Sequence, residues 1–152
     1  MITYQTTVID DWVDYNGHLR DAFYLLIFSY ATDAFMERIG VDPARDNYSL
    51  FTLECHLNFL QEVKLGAAVN VHTRVIGHDH KRLHLYHSLH THVHDQPLAA
   101  TEQMLVHVDL AGPRSAPFGA ATLQHLSNIL DQQSRLSAPS LIGRVIGLNA
   151  PR

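Results

Sequence analysis

The chain has 152 residues, 46% of them apolar and 17% charged, with a formal net charge of -4 when histidine is neutral. A chain of this length forms one domain, with or without a tail, and buries roughly 70% of the surface its unfolded form exposes. The composition excludes disorder, the acidic balance argues against a nucleic-acid partner, and the single cysteine, Cys55, excludes an intrachain disulfide and CxxC zinc or redox chemistry.

Residues 1–7 are polar and lack the apolar core of a signal peptide. The longest apolar run, residues 22–28, is far too short to span a membrane. A cytoplasmic protein without a membrane partner is expected.

Residues 4–9 read as a short strand. Residues 10–20 read as a turn centred on Asn16-Gly17. From residue 21 to 39 the pattern becomes helical, and apolar residues cover more than one face. Such a helix is expected to be wrapped by other elements. Gly40 stands where a C-cap glycine belongs, and Pro43 forbids continuation.

Four strand-like stretches follow. In residues 50–60, Phe51, Leu53, Cys55, Leu57 and Phe59 alternate with polar residues and predict one apolar face. Residues 68–77 place Val69, Val71, Thr73 and Val75 on one face, and residues 77–81 make a hairpin connection. Residues 82–94 alternate again, with Leu83, Leu85, His87 and Leu89 opposite a row of histidines. Residues 95–97 turn the chain, and residues 98–109 form the last long strand. A second helix is expected over residues 120–135, with an apolar stripe of Leu123, Leu126, Ile129 and Leu130. The links read as hairpin-length, so the four later strands are expected as consecutive antiparallel neighbours. The fold class is α+β: a long central helix wrapped by a five-stranded antiparallel sheet, the hot-dog architecture. Residues 1–135 form that domain, and residues 136–152 are a tail packing on or near it.

The segment Trp12-Val-Asp-Tyr-Asn-Gly-His-Leu-Arg-Asp-Ala-Phe-Tyr24 carries the chemistry. Asp14 lies three residues before Gly17, just ahead of the helix start. Glycine permits a backbone turn that other residues resist. A helix N-terminus offers unpaired N–H donors and about half a positive charge. Donors of that kind stabilise the oxyanion formed when a carbonyl is attacked. An aspartate at this position also stabilises turns by accepting nearby backbone N–H groups.

This stretch resembles the Asp-x-x-Gly-His signature of acyl-CoA thioesterases of the 4-hydroxybenzoyl-CoA thioesterase type. The resemblance runs from Thr3 to about Arg114. It implies a thioester hydrolase in which Asp14 is the catalytic carboxylate and the backbone N–H of Asp21 polarises the thioester carbonyl. Gly17 and His18 complete the expected catalytic set, with packing or capping beside the turn the other role open to His18. A closer likeness is to the betainyl-CoA thioesterases of carnitine breakdown, through Asp-Trp-Val-Asp-Tyr-Asn-Gly-His at residues 11–18, Phe-Ser-x-Ala-Thr-Asp at 28–33 and Gly-Arg-x-Ile-Gly at 143–147. Many relatives carry glutamate in the middle of the long helix, where this chain has Ser29, so a helix glutamate is not expected to act. Asp14 serves either as the base that activates water or as the nucleophile that forms an acyl anhydride.

The acyl group so implied carries a permanent cation, which aromatic faces attract. Trp12 and Tyr15 are the first candidates for that contact. Asn16 and Tyr24 stand beside them as substrate contacts, and Asp33 as a counter-charge. Lys81 and Arg82 resemble the basic residues with which some relatives hold the nucleotide end of CoA, although Asp79 and His80 replace a fuller basic cluster. His90, His92 and His94 share a strand face at a spacing that can bind zinc. They fall on the polar face of an alternating strand, so a solvent or subunit-contact face is expected and no metal site. No cofactor is expected. The partners are an acyl-CoA substrate and other copies of the chain, as a homodimer or homotetramer, because a sheet edge invites pairing with its copy. Two other readings stay open: a hot-dog enoyl-CoA hydratase or dehydratase, and a non-catalytic acyl-CoA binding module.

Overall fold

The order of elements is β1 (Ile2–Thr7), a 3-10 turn (Asp10–Trp12), α1 (Asp21–Arg38), β2 (Tyr48–Phe59), β3 (Ala68–His78), β4 (Arg82–Thr91), β5 (Ala99–Asp109), the two-residue β6 (Arg114–Ser115) and α2 (Ala120–Gln133). The structure, a computed structural model, describes residues 1–93 and 96–148. The sheet order is β1-β3-β4-β5-β2, with β6 against the end of β5. All of these pairings are antiparallel. This is the α+β hot-dog arrangement, with a short sixth strand added to the expected five. No helix among the described residues is long and apolar enough to cross a membrane.

Three expectations need correction. First, β2 does not neighbour β3; it pairs with β5 and stands at the sheet edge. The cause is the link over residues 60–67, which is not a hairpin. The N–H groups of Leu60 and Gln61 donate to Leu98 O, Leu19 N–H donates to Val63 O, and Val8 N–H donates to Ala67 O. The link therefore crosses the ends of β5 and β4 to reach β3.

Second, the odd residues of β2 do not share one face. The register shifts between Thr52 and Glu54, a bulge at Leu53. Phe51 pairs with Val106, whereas Cys55, Leu57 and Phe59 pair with Gln103, Thr101 and Ala99. Paired residues point to the same side of a sheet. Cys55, Leu57 and Phe59 thus share the α1 side with Leu105, and Phe51 points away from it. A bulge inserts one residue and flips the alternation beyond it.

Third, α1 is not wrapped all round. Tyr24, Ile27, Phe28, Ala31, Thr32, Phe35 and Met36 are buried. Leu25 and Tyr30 remain 40% and 38% exposed, on a side that also carries the exposed Ser29 and Asp33. The sheet covers only one flank of the helix.

The core has two apolar clusters strung along α1. One gathers Tyr24, Ile27, Phe28 and Ala31 with Val71 and Leu89; the other gathers Phe35 and Ile39 with Leu85, Leu105 and Leu126 of α2. Between them, on each element in turn, sits a buried polar residue: Thr32 on α1, Thr73 on β3, His87 on β4, Thr101 and Gln103 on β5. The hydroxyl of Thr32 donates to Phe28 O, so it accepts from Nε2–H of His87 at 3.1 Å. Nδ1 of His87 then accepts from the Thr73 hydroxyl at 2.8 Å, and Thr73 accepts from Thr3 at 2.6 Å. Every ring nitrogen is satisfied with a neutral imidazole. Burial pushes the pKa of His87 down to about 3.

The tail crosses the sheet face opposite α1. Arg74 Nη1 donates to Ser137 O at 2.6 Å, Gly143 N–H donates to Glu102 Oε2 at 2.7 Å, and His56 Nδ1 lies 2.9 Å from Arg144 O. Residues 149–152 of the expected tail lie outside the described residues.

Candidate active site

The loop before α1 closes on itself. Val13 and Leu19 form an isolated antiparallel bridge. Asp14 N–H donates to His18 O at 2.8 Å, Gly17 N–H donates to Asp14 O at 2.9 Å, and Arg20 N–H donates to Trp12 O at 3.0 Å. The tight reversal needs a left-handed residue, and Gly17 supplies it at φ 73°.

Asp14 sits inside this loop and does two things with two oxygens. Oδ1 accepts the backbone N–H groups of Asn16 at 2.8 Å and His18 at 3.0 Å. Oδ2 has no hydrogen bond among the described residues. The turn-stabilising role is therefore real and occupies only half of the carboxylate. The His18 amide, aided by the Asn16 amide, holds the carboxyl below the usual aspartate range. Asp14 is a carboxylate at neutral pH.

His18 Nε2 lies 3.3 Å from Glu62 Oε2. Asp21 opens α1 behind Arg20, which gives no side-chain cap. The Asp21 amide is one of the first N–H groups of the helix, which have no carbonyl within the helix to bond. Its own carboxylate accepts Ala22 N–H at 2.8 Å.

These parts line one cavity of about 420 Å³. Of the residues expected from sequence, Asp14, Asn16, His18, Asp21 and Tyr24 share it. Phe59, Leu60, Gln61 and Glu62 line its other side and were not anticipated. They arrive through the crossing link: Leu19 N–H donates to Val63 O at 2.7 Å and Leu65 N–H donates to Gly17 O at 2.9 Å. Only the position of β2 beside β5 brings them there, and the local sequence carries no trace of that. Tyr24 is buried, and its hydroxyl donates to Gln61 O at 3.4 Å.

The other expected residues lie apart. Trp12 is half-buried, packs against the core and stacks on Phe23, with ring centroids 6.1 Å apart. Tyr15 is 94% exposed at the loop tip. Asp33 is twelve residues along α1 from Asp21, about 18 Å at the helical rise. Lys81 and Arg82 stand at the β3–β4 turn. There Asp79 accepts the backbone N–H groups of both and Nε of Arg82 at 2.7 Å, and these donors hold its carboxyl far below the usual range. Arg82 lines a separate cavity with Asp79 and His84. The Lys81 ammonium donates to Ser115 at 3.3 Å.

The histidine row is shorter than expected. β4 ends at Thr91, so His92 lies in the following turn, and His94 falls outside the described residues. His90 instead packs against His72, ring centroids 4.7 Å apart, and Nε2 lies 2.9 Å from the Ser88 hydroxyl.

A family model described as the thioesterase-like superfamily matches residues 8–126, which hold the loop, α1 and the four long strands β2 to β5. The chain belongs to the thioesterase-like superfamily. Within this superfamily it is similar to a betainyl-CoA thioesterase of Pseudomonas aeruginosa, 58% identical over 97% of this chain and 95% of that one. It is 36% identical to a Rhizobium meliloti protein named L-carnitine dehydrogenase/betainyl-CoA thioesterase, matching over 93% of this chain but only 29% of the longer relative. A Staphylococcus aureus protein whose structure is in complex with CoA superposes with a TM-score of 0.88 at 26% identity, covering 97% of this chain and 96% of that one.

Proposed function

We propose that this chain hydrolyses the thioester of betainyl-CoA, releasing glycine betaine and free CoA in carnitine degradation. The observation that carries the reading is that Asp14, whose Oδ2 has no hydrogen bond among the described residues, and Asp21, the first residue of α1, line one cavity. The similarity to a protein named for this substrate, at 58% identity, supports the choice of acyl group. So does the relative that joins the same activity to an L-carnitine dehydrogenase in one chain.

The carbonyl oxygen of the thioester accepts the Asp21 N–H, where the helix end stabilises the charge that develops as the carbon is attacked. Asp14 acts in one of two ways. It takes a proton from water as the hydroxyl adds to the carbon, or it adds directly and the resulting anhydride is opened by water. In both, the carbon–sulfur bond breaks, the thiolate of CoA leaves and takes up a proton from water, and the acyl carbon gains one oxygen, either from water directly or from Asp14, whose own oxygen water then replaces. Both demand an ionised aspartate with one oxygen free, which is the state in which the loop holds it. His18, tied to Glu62, borders the reacting centre.

The functional unit in this reading is a homodimer built on β2. That strand ends the sheet, and its bulge region leaves Phe51 46% and Leu53 60% exposed. Sheet edges of that kind pair with a copy. The acyl pocket would then be closed by the partner's strands.

Product identity tests the proposal. Hydrolysis releases one free thiol and one betaine per betainyl-CoA consumed. A hydratase consumes an enoyl chromophore without releasing thiol, and a binding module does neither; either outcome with no betaine formed overturns the reading.

A further inference from the structure

Resting on the proposed reaction, we infer that Phe59, fixed by Tyr24 and aided by Glu62, is the group that reads the positive charge of the acyl group. Among the described residues, the cavity that holds Asp14 is lined by three carboxylates, Asp14, Asp21 and Glu62, and by no lysine or arginine. The imidazole among these described residues, that of His18, already lies 3.3 Å from Glu62 Oε2. Such a wall disfavours an acyl group ending in a carboxylate and favours one ending in a cation.

A quaternary ammonium has no N–H to donate, so carboxylates attract it without orienting it. A ring face supplies the missing direction. Phe59 is an apolar ring left 53% exposed at the mouth of this cavity. Its place is fixed rather than loose. It sits edge-to-face with Tyr24 at 5.2 Å and 83°. Tyr24 in turn is buried and tied through its hydroxyl to Gln61 O. The backbone of Phe59 is paired with Ala99 at the last step of the β2–β5 ladder. Trp12 spends a face on Phe23, and neither it nor Tyr15 lines the cavity. The charge-reading role expected of those two residues therefore passes to Phe59.

The roles separate cleanly. Asp14 does the bond chemistry and treats all acyl groups alike. Phe59 and Glu62 touch the far end of the acyl group and set the preference between them.

The test is a ratio. Betainyl-CoA and 3,3-dimethylbutanoyl-CoA have the same shape, with trimethylammonium in one and tert-butyl in the other. The ratio of their kcat/KM values cancels effects on folding, on Asp14 and on CoA binding. Phe59→Leu keeps apolar bulk without the ring and is expected to lower the ratio by about threefold to thirtyfold. Glu62→Gln is expected to lower it as well, with the loss shrinking as salt is raised. Trp12→Leu is expected to leave the ratio where it was. If the wild-type ratio is well above one and both Phe59→Leu and Glu62→Gln retain it, this inference is overturned while the proposed reaction stands. If the wild-type ratio is below one, the betainyl reading itself is wrong.

Discussion

Asp14 Oδ1 accepts the backbone N–H of His18 at 3.0 Å, so the residue proposed to carry the chemistry also holds the turn that aims it. The two roles are coupled through Gly17, whose N–H donates back to Asp14 O at 2.9 Å.

Gly17→Ala tests that coupling. An added Cβ meets nothing within 4 Å, so the cost is the positive φ alone. An L residue there loses roughly 1 kcal/mol, or about 2–4 °C in Tm. A turn relaxed from φ 73° moves the Asn16 and His18 amides away from Oδ1. Thermal unfolding and thiol release on the same sample should fall together. An unchanged Tm with unchanged kcat would show that the turn does not need this geometry.

The buried His87 predicts a pH dependence of stability. Its folded pKa of about 3 lies below the ordinary value of 6.5 because burial disfavours the charged ring. The unfolded chain therefore binds a proton first. Stability is whole above pH 6.5 and declines as pH falls toward 3, at about 1.4 kcal/mol per pH unit for this one group. Burial lowers His72 and His90 in the same direction. Urea unfolding at pH 7 and pH 5 should differ by about 2 kcal/mol or more. A flat profile across that range would mean that His87 takes up a proton in the fold.

The exposed edge of β2 predicts an assembly. Light scattering of the wild-type protein should give a multiple of the chain mass. Leu53→Lys places a charge at the bulge of the edge strand, a device that blocks edge pairing. The variant should be monomeric and at least about tenfold slower, a barrier rise of roughly 1.4 kcal/mol. A fully active wild-type monomer would contradict the dimer.

What could be read in the residues, and what could not, divides by range. The loop and the residues proposed for catalysis could be brought together from the sequence because their geometry is local: Asp14, Gly17, His18 and Asp21 lie within eight positions and meet through a single turn. Gly40, at φ 76°, ends α1 for an equally local reason. The long α1 and the antiparallel strands followed from periodicity. The place of β2 did not, because the link over residues 60–67 is short enough to suggest a hairpin and instead crosses two strand ends. That one crossing hid Phe59 and Glu62 from the expected site. The bulge at Leu53 hid which β2 residues face α1, since alternation looks unbroken in the sequence. Trp12 and Tyr15 were near Asp14 in sequence, yet one turned inward to Phe23 and the other outward to solvent.

The central claim is that the free oxygen of Asp14 drives thioester hydrolysis. Asp14→Asn is its most direct measurement, because the amide oxygen can still accept the Asn16 and His18 N–H groups while the negative charge is gone. With betainyl-CoA as substrate, thiol release should fall more than about tenfold in kcat, above roughly 1.4 kcal/mol in the barrier, while Tm changes little and the substrate still binds. A variant that keeps a tenth or more of the wild-type kcat would place the chemistry on another residue.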